Sequence, residues 1–346
     1  MRRGMFVLAA LAAVLVFGQL GGARALGAPD GDPPGLARAL AVQEAHTDAL
    51  LARAGVVGTA VGASEDGRSA AVLVLVEHGG VAGIPPSLDG VPARVVVTGR
   101  LEALYRLAGQ EGAAATTEPA LTTTSRWPRP VPIGVSTGHP SITAGTIGAR
   151  VTKADGSVYA LSNNHVYANE NRASAGDAVI QPGRYDGGTS PADDMGTLAA
   201  FVPIVFSTAA SNTVDAAIAL SSTSSLGRST PPGGYGTPKA AMVAPGINMA
   251  VQKYGRTTGL TKGKIIGINA TVNIGYDSGV ARFVQQIIVQ PGAFSRGGDS
   301  GSLIVARGGV NDRRPVGLLY AGSATVTIAN PISAVLSALG VTIDGE

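Results

Sequence analysis

The sequence predicts a mostly β protein with a small α/β unit in front of it. Three observations carry that expectation. Short β-branched runs, broken by Gly, Pro, Asn and Asp turns, become continuous after residue 132. Helical periodicity is confined to residues 36–54, 101–107 and 332–339. The 346 residues contain no Cys, so no disulfide supports the chain and core burial has to hold it together. The formal net charge is only +3 and the basic residues are scattered, which gives no footprint for nucleic acid.

The first residues read as an export signal. Arg2 and Arg3 supply the positive start, Met5 to Phe17 the apolar core, and Ala23-Arg24-Ala25 a small-x-small cleavage site. The apolar run is short for a span and a Pro/Gly-rich segment follows it. Residues 1–25 are therefore expected to be removed, with no stable membrane insertion afterwards. The expected location is secreted, periplasmic or in the cell envelope.

Residues 34–109 form the predicted α/β unit. Leu36 to Ala54 is the expected helix, with Leu36, Leu40, Thr47, Leu51 and Ala54 on one side and Gly55 as its stop. Strands are expected at 56–63, 70–77 and 93–98, and a second helix at 101–107. His46 and His78 have no partner nearby in the sequence and read as surface or packing residues. Residues 110–132, rich in Ala, Thr and Pro, read as an exposed, cleavable linker.

Two β units follow, at 133–226 and 227–346. In the first, 142–151 and 158–162 read as a strand pair, and His165 comes next in a polar loop, Asn163-Asn164-His165. His139, beside Pro140, precedes the strand pattern and has the weaker claim to a role. The turn-rich stretch 181–195 offers the carboxylates of Asp186, Asp193 and Asp194, but its spacing fits no EF-hand loop, and a surface loop without metal is expected. Asp215 opens the apolar run Ala216 to Leu220. A charge there is costly to bury without a partner, and a histidine would supply one. A Ser/Thr run and Pro231-Pro232-Gly233-Gly234 lead to the second unit. Its expected strands are 249–254, 264–269, 283–290, 303–306 and 316–320, and 332–339 is the closing helix.

The most informative stretch is Arg296-Gly297-Gly298-Asp299-Ser300-Gly301-Ser302. Such a run is ordinary turn chemistry. It also lets backbone N–H groups, here of Gly298 and Ser300, converge on one spot beside a hydroxyl, as a reacting carbonyl requires. A nucleophilic serine further needs a base and a carboxylate that orients it. His165 and Asp215 are the candidates.

His165, Asp215 and Ser300 stand in that chain order, each at a strand edge. With Gly298-Asp299-Ser300-Gly301 this order resembles the chymotrypsin-like (trypsin-like) serine peptidases, and Gly255-Arg256-Thr257-Thr258-Gly259 resembles a segment of their secreted bacterial members. Val214-Asp215-Ala216-Ala217-Ile218-Ala219, the strand 316–320 and the stretch 327–332 are similar to family segments too. The likeness spans residues 131–346. Asn164 stands where a smaller residue is usual and Ser302 where Gly is common.

The resemblance implies two six-stranded antiparallel β-barrels with the site between them. It implies a serine endopeptidase that acts on protein or peptide substrates through an acyl-enzyme, without a cofactor. Ser300 would be the nucleophile, His165 the base, Asp215 its orienting partner, and Gly298 and Ser300 the oxyanion hole. Asp299 would point away and brace the loop. A binding or scaffold protein on the same fold, weakly active or inactive, and an esterase are the alternatives. The pocket expected to read the side chain before the cleaved bond is formed by Phe294, Ser295, Tyr320 and Gly322. None is a carboxylate, so an uncharged, apolar preference is expected. Phe294 could fill the floor or turn aside. In secreted bacterial relatives a pro-region often assists folding and blocks the site; residues 34–109 are expected to be such a pro-region or an accessory domain.

Overall fold

The computed structural model describes residues 32–104 and 121–346. The expected export signal lies outside them, as do the first half of the linker and the end of the proposed second helix. Among the described residues no helix is long and apolar enough to cross a membrane.

The second β unit is built on six strands. Ala250–Gly255 pairs with Leu303–Ala306, which pairs with Pro315–Gly322, then Thr327–Pro331, Gly279–Gln290 and Gly259–Tyr276. Gly259–Tyr276 pairs back onto Ala250–Gly255, so the ring closes as expected of a barrel. Val251, Ile265, Ile287, Val289, Phe294 and Leu319 fill it. Gly259–Tyr276 is far longer than the predicted 264–269. With Gly279–Gln290 it makes a hairpin that projects beyond the barrel.

The first β unit is a six-stranded antiparallel sheet in the order Ala178–Ile180, Asp194–Phe201, Ala217–Ser221, Val158–Ser162, Ala149–Thr152 and Thr342–Ile343. A ribbon of Ser136–Thr137 and Gly145–Thr146 attaches through a bridge between Gly138 and Ile180. The last strand comes from the chain end. After the helix Ile332–Leu339 the chain crosses back, and Ile343 pairs with Val151. This return was not foreseen, because two residues carry no readable period. Burial of Val341 and Ile343 and an Arg150–Asp344 ion pair at 2.7 Å hold it.

The α/β segment has the helix Leu36–Leu51 on the strands Val56–Ala63 and Ala70–Val76, with Val91–Val97 parallel to the latter. The predicted face packs on the core through half-buried Leu36, Leu40 and Leu51 and buried Thr47, but the helix is rotated further inward and Ala54 is exposed. The buried residues of the helix are Ala39, Val42, Gln43, Thr47 and Leu50. Polar groups turn the helix: Gln43 donates to Thr59 Oγ1 at 2.8 Å, and the Thr47 and Thr59 hydroxyls lie 2.7 Å apart. All seven residues of Ala70–Val76 are buried, and each large side chain there contributes about 1.5–3 kcal/mol.

The segment does not stand apart. Val56–Ala63 pairs antiparallel with the projecting hairpin, Gly58 opposite Val272 and Gly62 opposite Gly267. The close approach requires glycine: a Cβ on Gly62 would lie 2.4 Å from the Ile266 carbonyl oxygen, and one on Gly58 2.8 Å from that of Thr271. The predicted second helix is overturned where it is described. Glu102–Ala103 is a short strand between Gly275 and the edge of Pro315–Gly322. Backbone groups on both sides offer it more hydrogen bonds than one isolated helical turn would make. Nor is the second half of the linker an exposed tether. Thr123 Oγ1 donates to the Arg256 carbonyl at 2.6 Å, Trp127 N to Gln181 Oε1 at 3.2 Å, and Val131 is fully buried.

Candidate active site

His165 sits on the one-turn helix Asn164–Tyr167, directly after Val158–Ser162, and is 1% exposed rather than in a solvated loop. Its Nδ1 lies 2.5 Å from Asp215 Oδ2, and its backbone N–H donates to Asp215 Oδ1 at 3.2 Å. A carboxylate only accepts, so Nδ1 carries the hydrogen and Nε2 is left as the basic nitrogen of the neutral ring. Asp215 precedes the strand Ala217–Ser221 and is fully buried. A third donor, the Tyr276 hydroxyl, reaches Oδ2 at 2.9 Å from the end of the projecting hairpin strand. The backbone around Asp215 is pinned as well. Asn163 donates to its carbonyl at 2.7 Å, and its N–H donates to Asn330 Oδ1 at 3.1 Å. Asn330 is held in turn by Gln286 at 2.7 Å.

The Ser300 loop is shaped by glycine and by Asp299. Gly298 and Gly301 both have φ 92°, and a Cβ on Gly301 would lie 2.2 Å from Ser162 Oγ. Asp299 is fully buried and points away from the cleft, as expected. It accepts from the N–H groups of Thr257, Thr258 and Arg296 at 2.9, 3.2 and 3.0 Å, and from Thr258 Oγ1 at 2.7 Å. The Lys253 ammonium lies 3.4 Å from it, also fully buried. Burial pulls the Lys253 ammonium below its usual range, and the Asp299 charge opposes that pull. The Gly255-Arg256-Thr257-Thr258-Gly259 stretch is therefore the loop's cradle.

The chain's own backbone lies across this loop. Leu104 N–H donates to the Tyr320 carbonyl at 3.1 Å, and Gly298 N–H donates to the Leu104 carbonyl at 2.7 Å. Upstream, Ala103 faces Ala321 and Glu102 faces Gly322 in antiparallel register. Ser300 Oγ donates to the same Tyr320 carbonyl at 3.2 Å, and the Ser300 carbonyl accepts from Thr146 N–H at 2.7 Å. A donor aimed at a carbonyl oxygen beside a serine hydroxyl is the arrangement acyl transfer needs.

The expected pocket residues divide. Leu104 packs on the apolar cluster that contains Phe294, and its Cδ1 lies 3.4 Å from where a Cβ on Gly322 would be. Phe294 is fully buried in the barrel interior, next to Gly263. Ser295 is buried, its hydroxyl 2.5 Å from that of Thr327. Tyr320 offers only its carbonyl to this cleft. Its ring turns inward, 4.9 Å from Phe283, because the side chain points to the opposite face of the strand. Arg296 is exposed. Elsewhere, His46 pairs with Asp89 at 2.8 Å and His139 with Asp177 at 3.4 Å. Asp186 and Asp193 of the turn-rich stretch are engaged by Arg256 and Arg126.

Sequence reading missed Lys253, Tyr276, Gln286 and Asn330. For Lys253 a signal existed: a single cation in the strand Ala250–Gly255, the same tension that marked Asp215. Tyr276 carries none, being one tyrosine at the end of a strand.

Residues of this chain are 34% identical to streptogrisin-A of Streptomyces griseus over 103 residues, 28% of this chain and 31% of that protein. The likeness over that stretch is to a chymotrypsin-like bacterial serine protease. The chain spans about a third of the length of this curated relative. A family model described as the Nal1 C-terminal domain matches residues 239–330. Among solved structures, a glutamic acid-specific serine protease aligns over 62% of this chain and 100% of its own, with 21% identity and a TM-score of 0.43. Thermobifida fusca protease A aligns over 62% and 100%, with 19% identity and a TM-score of 0.44. Nocardiopsis protease aligns over 62% and 99%, with 18% identity and a TM-score of 0.44.

Proposed function

We propose that this protein is a secreted serine endopeptidase whose own residues 101–104 occupy its substrate cleft. The observation that carries the reading is the Leu104 carbonyl on Gly298 N–H, beside Ser300, with the Leu104 N–H on the Tyr320 carbonyl. Ser300 Oγ attacks the scissile carbonyl. His165 Nε2 takes its proton and later returns it to the leaving amine. Asp215 fixes the tautomer and stabilises the imidazolium. The negative charge that develops falls to the N–H groups of Gly298 and Ser300.

The side chain before the cleaved bond is apolar, and leucine is the preferred one, since Leu104 lies against Gly322 and the Phe294 cluster. Residues 34–109 act as a pro-region. They grip the barrel twice, through Val56–Ala63 on the hairpin and through Glu102–Ala103 in the cleft. A strand added to an exposed edge is a common mode of peptide recognition.

The test uses full-length protein collected after export. A fluorophosphonate probe should label Ser300, and peptide amides with leucine before the bond should be cut faster than those with Arg, Lys or Glu. Casein hydrolysis separates a peptidase from an esterase. Absence of labelling, both before and after limited proteolysis of residues 105–120, would refute the enzyme. Preferred cleavage after Arg or Lys would refute the specificity.

A further inference from the structure

The hairpin Gly259–Tyr276 and Gly279–Gln290 belongs to the second β unit, yet its tip lies on the first. Glu170, five residues after His165 in the chain, receives the tip. Its carboxylate oxygens accept from the backbone N–H groups of Asp277 and Ser278 at 3.2 and 2.8 Å. Arg172 donates to Ser278 Oγ at 2.7 Å. Tyr276 is thereby set against the His165–Asp215 pair.

We propose that Tyr276 is a positioning residue of the active site, its hydroxyl holding Asp215 in the orientation from which Asp215 aligns His165. This rests on the reading of His165, Asp215 and Ser300 as one catalytic unit. The geometry is specific to that task. The Tyr276 hydroxyl donates to Oδ2, the same oxygen that meets His165 Nδ1. The two acceptor directions of one oxygen are then both occupied, so the carboxylate cannot rotate without losing a donor. The Tyr276 ring stands edge-on to the His165 imidazole, with centroids 6.0 Å apart and planes at 65°. Phe206 and Phe283 hold the ring from its other sides, at 5.6 and 6.2 Å.

Titratable groups face this pair from three elements: His165 and Glu170 from the first unit, Tyr276 from the hairpin, and Tyr320 from Pro315–Gly322. Burial, and then the charge of Asp215, push both the Tyr276 and the Tyr320 phenols well above their usual range, so Tyr276 remains a donor throughout any working pH. A carboxylate with no cation beside it needs each donor it has.

Tyr276→Phe in the full chain removes the hydroxyl and keeps the ring. The expected result is a fall of about tenfold in kcat and in fluorophosphonate labelling rate, with KM for a leucyl peptide amide unchanged. The downfield proton resonance of His165 Nδ1–H should move or broaden. Glu170→Gln, which leaves Tyr276 and Asp215 intact and loosens the tip, should lower labelling about twofold to threefold. A lower Tm with kcat and the Nδ1–H resonance unchanged would reduce Tyr276 to packing and overturn the proposal. So would parental labelling in both variants. Should the parent chain fail to label both before and after limited proteolysis, the enzymatic reading falls, while the Nδ1–H resonance still reports whether Tyr276 orders the pair.

Discussion

Asp215 and Asp299 are both fully buried carboxylates, and they are stabilised in different ways. Asp299 has a lysine partner, Lys253, and four further donors from Thr257, Thr258 and Arg296. Nothing in that cage changes charge during a reaction, and its effect is to fix the path of the Ser300 loop. Asp215 has no Lys or Arg partner among the described residues. Its three donors are the His165 N–H, the His165 imidazole and the Tyr276 hydroxyl. One of them can take up a second proton. A buried carboxylate beside a titratable ring stabilises a transient cation, whereas one beside an ammonium has already been neutralised. On the proposed function, the contrast separates a carboxylate that shapes the Ser300 loop from one that serves the reaction.

Breaking the reacting side of that contrast should give the largest effect. Ser300→Ala or His165→Ala is expected to lower kcat by about five to six orders of magnitude, and the double variant by little more. Multiplicative losses would show that the two do not act together. Asp215→Asn keeps the shape but offers His165 the wrong hydrogen, and about four orders should be lost in kcat with KM little changed.

On the shaping side the loss should appear first in stability. Lys253→Met strands the Asp299 charge in the interior and should cost about 3–5 kcal/mol, read by urea unfolding. Lys253→Met combined with Asp299→Asn should recover much of this; a double variant as unstable as the single one would argue against the pair as the cause.

The comparison also extends to the cleft. Leu104→Asp puts a charge against the apolar cluster holding Phe294 and should loosen the internal strand. Fluorophosphonate labelling of the full chain should then rise at least severalfold. Equal labelling of parent and variant would mean that the segment does not obstruct Ser300.

The smallest expected effect concerns Asp193, a buried carboxylate paired with an exposed arginine. Arg126, and secondarily Thr189, hold Asp193 down at about 2. Its unfolded value is near 3.9, so the native state binds fewer protons between about pH 4 and pH 2. The contribution is complete above about pH 4 and is lost as pH falls through about 2. Because Arg126 is largely exposed, screening limits it to about 1 kcal/mol. Arg126→Ala should therefore lower Tm at pH 6 and have little effect at pH 2.

The sequence by itself determined the elements whose pattern is local. Val158–Ser162, Leu303–Ala306 and Ile332–Leu339 have the bounds that periodicity predicts, because their apolar spacing repeats over four or more residues. It also singled out Asp215 and Ser300, since an isolated charge before an apolar run and a glycine-framed serine are visible in one dimension. The tertiary structure alone decided the rest. Glu102–Ala103 became a strand because two backbone edges from residues far along the chain meet there. The helix Leu36–Leu51 turned its Gln43–Thr47 face inward because Thr59 waited beneath it. Tyr276 reached Asp215 across 61 residues, through a hairpin whose length no local period encodes. Backbone hydrogen bonds and buried polar pairs are satisfied by whatever the fold brings near, and proximity of that kind is a property of the packed chain.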